Sequence, residues 1–132
     1  MPKPIIQSVT FPATASQLYK MYIDPKQHAA FTGSPVKISP KPGSPFTAFN
    51  GMLTGSTLLT VPGKLIVQCW RGSHWKKTDL DSTLILTFVQ DGNRGRIDLV
   101  HVNVPHHDHA GVTSGWKTYY WQPLLAHLKI AG

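Results

Sequence analysis

Closely spaced turn signals between residues 36 and 102 limit what this part of the chain can form. Strands joined by short turns pair antiparallel, and each intervening segment is long enough for one strand. The turn signals are "PKPGSP" between "VKIS" and "FTAF", "NG" at 50–51, "PG" at 62–63 and "DGNRG" from Asp91. The strand segments after the first two are "MLTGSTLLTV", "KLIVQCWR", "STLILTFVQ" and "RIDLVHVNV". The pattern therefore predicts an antiparallel sheet.

A strand and two short helices are predicted before these turns. Residues 5–11, "IIQSVTF", alternate as a half-buried strand does. Thr14 with Gln17 three residues later forms a capping-box pattern for a first helix. Asp24 before a proline predicts the start of a second helix, which Gly33 ends.

The end of the chain predicts a long helix. "PHHDHAG" is expected to form one turn, followed by a helix from about Thr113 or Ser114 to Leu128. Pro123 should bend this helix, because proline donates no hydrogen bond to the carbonyl four residues earlier. The predicted buried stripe is Trp116, Tyr120, Leu124 and Leu128, with Tyr119 on its flank and Trp121 and Leu125 lying away from it.

Together these elements predict an α+β fold. A strongly curved antiparallel sheet of six to seven strands around the C-terminal helix buries every apolar face. With 132 residues, the chain fits a single domain spanning 1–132.

Composition narrows the classes of function. One cysteine, Cys69, excludes an internal disulfide and favours a reducing compartment, and no segment is long and apolar enough for a leader or a membrane span. We therefore expect a soluble cytoplasmic protein. The net charge is +7, but the basic residues are scattered and only Lys76 and Lys77 are adjacent, so no specific nucleic-acid binding is expected.

The order of motifs resembles a known family. The segments that carry the resemblance are "FPATASQLYKMYIDPKQHAAFTGSP", "PGSPF", "GKLIVQCWR", "DSTLILTF", "GRIDLVH" and "GWKTYYWQPL". They are similar to the activator of heat shock protein 90 ATPase homologue-like branch of the SRPBCC superfamily, which includes START and birch-pollen-allergen-like proteins. The resemblance implies a helix-grip fold with a cavity between sheet and helix. It also implies a heat-shock chaperone as a partner, although activators of this family carry an additional N-terminal domain for chaperone contact.

Aromatic side chains are the candidate ligand-binding residues. If the helix faces the concave sheet, its rings meet residues projecting from the strands, and rigid rings can line a gap without collapsing into it. The candidates are Phe46, Trp70, Phe88, His101, Trp116, Tyr119 and Tyr120. The alternative is that these rings simply fill the core.

Histidines and acids offer few catalytic groups. His101, His106, His107 and His109 lie near Asp108, but neighbouring side chains point apart and no metal-ligand spacing is present, so a polar connection is favoured over a metal site. His101 should point inward, either as a satisfied buried histidine or as a base.

These observations favour a protein that binds a small hydrophobic, lipid-like or aromatic molecule in an internal cavity without chemistry and without a cofactor. The alternatives are a co-chaperone that stimulates a heat-shock chaperone ATPase, and a cyclase or hydrolase with His101 in the cavity. The sequence leaves the ligand and the oligomeric state open.

Overall fold

A computed structural model describes residues 3–131 of the chain. Met1, Pro2 and Gly132, which belong to the segment 1–132 predicted as one domain, lie outside the described residues. The strands are β1 (Ile5–Phe11), β2 (Val36–Lys37), β3 (Pro45–Ala48), β4 (Leu53–Val61), β5 (Leu65–Gly72), β6 (Ser82–Asp91) and β7 (Arg94–Val102). The helices are α1 (Ala15–Ile23), α2 (Pro25–Thr32), α3 (His106–Gly115), a π-helical segment (Trp116–Trp121) and α4 (Gln122–Ala131).

The seven strands form one antiparallel sheet in the order β1-β7-β6-β5-β4-β3-β2. The turns predicted from "NG", "PG" and "DGNRG" join β3 to β4, β4 to β5 and β6 to β7, with Gly51, Gly63 and Gly92 at positive φ. β1 pairs with β7 from Ile5 opposite His101 to Phe11 opposite Gly95. The predicted α+β helix-grip fold is confirmed.

Local sequence accounts for the two short helices. The Thr14 side chain accepts a hydrogen bond from the Gln17 amide (3.1 Å), and the Gln17 side chain accepts one from the Thr14 amide (2.8 Å), which completes the predicted capping box. Asp24 caps α2 through the Lys26 amide (2.9 Å), and Gly33 ends it at φ 75°. Both predicted helices are confirmed.

The C-terminal helix starts earlier than the sequence predicts. It runs without interruption from His106 through α3, the π segment and α4, so "PHHDHAG" contains the start of this helix and does not form a separate turn. The Trp116 amide bonds the carbonyl four residues back, whereas the Gln122 amide bonds Lys117 five residues back. In a regular α-helix the ring of Pro123 would clash with the Tyr119 carbonyl, and the wider π turns just before Pro123 relieve this clash.

The π segment corrects the predicted position of Trp121. Because five residues complete each of its hydrogen-bonded turns, Trp121 comes to lie over Trp116 and is buried, not turned away. The two indole rings stack with centroids 5.4 Å apart and an interplanar angle of 22°. The Trp121 indole N–H donates to Gln7 Oε1 (2.7 Å), and Gln7 Nε2 donates to the Thr113 carbonyl (3.0 Å), so the helix is tied to β1.

The core lies between the concave face of the sheet and the helices. Alternate residues of the central strands are buried there, for example Ile66, Leu84, Leu86 and Leu99. Across residues 3–131, none of the helices combines the length and apolar character that crossing a membrane requires.

Gly95 of β7 packs tightly against the backbone at the start of α1. A Cβ at this position would lie 2.7 Å from the Ala13 carbonyl oxygen and 2.8 Å from the Ala15 amide, both of which are backbone atoms. We expect Gly95→Ala to lower the free energy of unfolding by about 1–3 kcal/mol in urea titrations. Gly115→Ala is the matched control, because a Cβ there makes only an ordinary 3.7 Å contact with Tyr119. It should be neutral or stabilise the helix by up to about 1 kcal/mol, and equal effects of the two substitutions would contradict this packing.

Candidate functional site

A pocket of about 260 Å³ lies where the C-terminal helix crosses the ends of β4 and β5. Its walls come from the β3–β4 turn, the end of β5, the loop 73–81, α3 and the π segment. The lining residues are Phe49, Met52, Leu53, Trp70, Gly72, His74, Asp108, Gly111, Val112, Gly115, Trp116, Tyr119 and Tyr120. Met52 and Tyr119 are 60% and 58% exposed and form its outer rim.

Four of the seven predicted ligand-binding residues line this pocket, namely Trp70, Trp116, Tyr119 and Tyr120. Phe49, which is not among the predicted residues, packs against Tyr119 (ring centroids 5.7 Å apart, 61° between planes) and against Tyr120 (5.9 Å, 88°). Phe49 therefore meets both tyrosines at steep angles, whereas Trp70 and Trp116 stack nearly parallel at 23° on the other side of the lining.

The other three predicted residues lie elsewhere in the core. Phe46 is fully buried and its ring centroid is 6.3 Å from that of His28. Phe88 packs edge-on against Tyr19 of α1 with centroids 5.7 Å apart. His101 lies behind Trp70 and Trp116, which separate it from the pocket.

Both ring nitrogens of His101 are occupied by hydrogen bonds. The Ser82 hydroxyl donates to the Trp70 carbonyl (2.7 Å), so His101 Nε2–H donates to Ser82 Oγ (2.8 Å). Nδ1 accepts from the Trp116 indole N–H (3.1 Å). Burial lowers the pKa of His101 to about 3, with a smaller contribution from His109. The imidazole is therefore neutral, and neither nitrogen is free for a ligand or for proton transfer.

A second buried histidine supports the pocket from below. His28 Nδ1 donates to the Tyr22 carbonyl (2.8 Å), and Nε2 accepts from the Tyr120 hydroxyl (3.0 Å). Burial lowers the pKa of His28 to about 4 and raises the pKa of Tyr120. Tyr22 donates in turn to Gln68 Oε1 (2.7 Å). The hydroxyl end of Tyr120 is thus held in the core while its ring faces the pocket wall.

Two buried donors on β5 have no acceptor within residues 3–131. They are Gln68 Nε2 and the indole Nε1 of Trp70. Both side chains lie on the concave face, two residues apart. Such unpaired groups lower the stability of the fold. Because the Trp70 ring makes no hydrogen bond of its own, packing holds it in the pocket wall.

Polar contacts between side chains, here called the clasp, join the loop 73–81 to the start of α3. Asp108 Oδ2 accepts from the Trp75 indole N–H (2.7 Å) and lies 3.1 Å from His74 Nε2. His107 Nε2 lies 2.7 Å from Asp79 Oδ2, and this hydrogen bond is the largest cause that lowers the pKa of Asp79. Gly72 makes room for the clasp, because a Cβ there would lie 2.6 Å from Trp75 Nε1.

The histidines near His106 contact different groups and do not converge on one site. His107 faces Asp79, His109 lies 2.8 Å from the Lys3 carbonyl, and His101 is buried in the core. No group of three or more metal-ligating side chains occurs in the part of the chain that the structure describes.

Comparison with known proteins identifies relatives of the chain. A family model described as activator of Hsp90 ATPase homolog 1-like protein matches residues 12–129. An uncharacterized protein of Schizosaccharomyces pombe is 30% identical over 91% of this chain and 35% of its own length. The human activator of 90 kDa heat shock protein ATPase homolog 1 is 26% identical over 87% of this chain and 34% of its own length. The chain spans about a third of the length of these curated relatives.

Among solved structures, an HSP90 activator from Plasmodium falciparum has the same fold. It superposes with a TM-score of 0.88 at 19% identity and covers 97% of both chains. At this identity the likeness concerns the fold alone.

The buried histidines predict a pH dependence of stability. Their folded pKa values lie below the ordinary value of about 6.5, so the unfolded chain binds more protons as the pH falls. The free energy of unfolding should therefore fall from about pH 6.5 downward, by up to about 1.4 kcal/mol per pH unit for each histidine. Urea titrations between about pH 4.5 and 7.5 measure this slope at pH values above those at which carboxylates protonate.

Single substitutions separate the two contributions. His101→Gln should remove one histidine's share of the slope and lower stability at pH 7.5 by about 1–3 kcal/mol, since glutamine reproduces the hydrogen bonds to Ser82 and Trp116 only imperfectly. His106→Gln changes an exposed histidine and should keep the full slope. An unchanged slope in His101→Gln would show that the buried imidazole is not the cause.

Proposed function

The chain belongs to the activator of Hsp90 ATPase homolog 1-like family, and from its pocket we propose that it binds a small, largely apolar molecule between sheet and C-terminal helix without transforming it. In this proposal residues 1–132 act as a single domain in the cytoplasm. The observation that carries the proposal is the pocket of about 260 Å³ walled by Phe49, Trp70, Trp116, Tyr119 and Tyr120. Ligand pockets of proteins are typically apolar clefts of about 300–1,000 Å³, so the occupant is small.

The pocket is open to solvent, which avoids the cost of a dry void. A sealed, dry apolar void of this size would lower stability by about 6 kcal/mol at about 24 cal/mol per Å³, which approaches the stability of a whole domain. The rim at Met52 and Tyr119 is exposed, so water enters and a ligand that displaces it gains apolar burial.

Binding without catalysis fits the groups at the site. His101, the base of the enzyme alternative, has both nitrogens occupied and lies behind the rings. The acid that lines the pocket, Asp108, already accepts from Trp75 and lies against His74. Among the described residues, the pocket lining includes no second carboxylate for paired acid and base chemistry.

Filling the pocket tests the proposal. A hydrophobic panel at about a hundredfold over the dissociation constant adds about 2.7 kcal/mol of stability, which raises the melting temperature by roughly 10 °C. Gly115→Leu should abolish this shift, because Gly115 lines the pocket and the nearest side chain to an added Cβ is Tyr119 at 3.7 Å. Gly115→Ala, the smaller control, should keep it.

Native mass spectrometry of gently purified protein gives an independent readout. We expect a bound species in the unmodified chain and in Gly115→Ala, and none in Gly115→Leu. A panel that produces neither a bound species nor a melting shift in the unmodified chain would overturn the proposal.

A second candidate function follows from the relatives. The human protein that matches 87% of this chain is an activator of the 90 kDa heat shock protein ATPase. On this hypothesis the chain binds such a chaperone through its outer surface. Lys76 and Lys77 of the loop 73–81 are exposed, adjacent cations suited to an acidic surface.

An ATPase assay with purified 90 kDa heat shock protein tests this candidate. Stimulation of at least about twofold is expected, with a steep loss on reversing both charges (Lys76→Glu and Lys77→Glu) and with no change in Gly115→Leu. A rate that does not change when the unmodified chain is added would rule it out.

A further inference from the structure

We infer that the pocket selects a small organic cation, a quaternary or methylated amine carried on a short apolar body. This inference rests on the proposed function, that the pocket binds a small molecule, and it names the class of that molecule. Three features of the lining support it: the aromatic rings, the little-exposed carboxylate of Asp108, and the lack of Lys and Arg among the described residues that line the pocket.

The aromatic lining suits a cation. Phe49, Trp70, Trp116, Tyr119 and Tyr120 surround the pocket, and the faces of such rings carry partial negative charge. A desolvated cation over tryptophan or tyrosine gains up to roughly thirtyfold in affinity per favourable contact. Methylated ammonium groups use this attraction best, since their methyl groups also bury apolar surface.

Asp108 supplies the countercharge. Its side chain is only 19% exposed, and its contacts with Trp75 and His74 both end on Oδ2. Oδ1 lies beside Gly111, another lining residue, where a Cβ would come within 2.8 Å of it. No hydrogen bond within residues 3–131 ends on Oδ1. One oxygen of this pocket-lining carboxylate therefore has no hydrogen-bond partner among the described residues, and a neutral apolar ligand that covered it would displace its water without compensation.

The charge of the lining is opposite in sign to the charge of the chain. The sequence holds 13 Lys and Arg against 6 Asp and Glu, yet neither Lys nor Arg is among the residues that line the pocket in the described chain. A primary ammonium carries three donors, each of which needs an acceptor when buried. A quaternary ammonium needs none, so it fits a site of rings and one carboxylate.

A matched pair of probes tests the inference by isothermal titration calorimetry. (4-Hydroxyphenyl)trimethylammonium and 4-tert-butylphenol have the same shape and differ in charge, because nitrogen replaces carbon. At pH 7, where both phenols are protonated and the probes differ by one full charge, we expect the cation to bind at least about tenfold more tightly. Asp108→Asn keeps an acceptor for Trp75 and should weaken the cation about tenfold while leaving the neutral probe within about twofold.

Two further variants keep the test independent of folding. Tyr119→Leu removes an exposed ring at the rim and should also weaken the cation more than the neutral probe. Asp81→Asn removes an acid that pairs with Arg71 outside the pocket, and it should leave both affinities unchanged. Melting curves confirm that each variant is folded.

The outcomes separate this inference from the proposed function. Equal or tighter binding of 4-tert-butylphenol would overturn the cation preference and leave the apolar pocket as proposed. Binding of neither probe, together with a negative hydrophobic panel, would overturn both. A cation preference that survives in Asp108→Asn and in Tyr119→Leu would show that the cation binds elsewhere, and this would also overturn the inference.

Discussion

Pro123 has no amide hydrogen, and the way in which the C-terminal helix accommodates it determines which rings meet the sheet. The helix widens over Trp116–Trp121, which stacks Trp121 on Trp116 and connects Trp121 to Gln7 of β1. A regular α-helix would turn one of these indoles toward solvent. The positions of the indoles in and behind the pocket wall therefore depend on the widening of the helix before Pro123, which lacks an amide hydrogen.

Two neutral histidines hold that wall in place. His101 orients Trp116 through its indole N–H, and His28 orients Tyr120 through its hydroxyl. Each imidazole uses one nitrogen as donor and the other as acceptor, so each also fixes its own tautomer. These polar groups are distant from solvent and rigid, which is what an aromatic wall requires if it is to keep an open space beside it.

Much of the fold could be predicted from local signals. The capping box at Thr14, the cap at Asp24 and the hairpin turns depend on neighbours in sequence, and the structure has all of them. The site was predictable only in part. Trp70, Trp116, Tyr119 and Tyr120 line the pocket, but Phe49, Met52 and Asp108 reach it through the β3–β4 turn and the first turn of α3. Their positions depend on how segments distant in sequence pack against each other, and the periodicity of apolar residues within one segment does not predict this packing. The predicted position of Trp121 is wrong because the prediction assumes α-helical spacing, and the π segment changes that spacing.

The pairing of β1 with β7 also has a consequence for biosynthesis. The first strand finds its sheet partner about 90 residues later along the chain, and the Gln7 contact with Trp121 spans 114 residues. During translation β1, with its exposed Ile6, therefore has no hydrogen-bonding neighbour until β7 has also been made. Pairing of β1 thus waits for the last strand of its own sheet, and until then its open edge is a place where two nascent chains could associate.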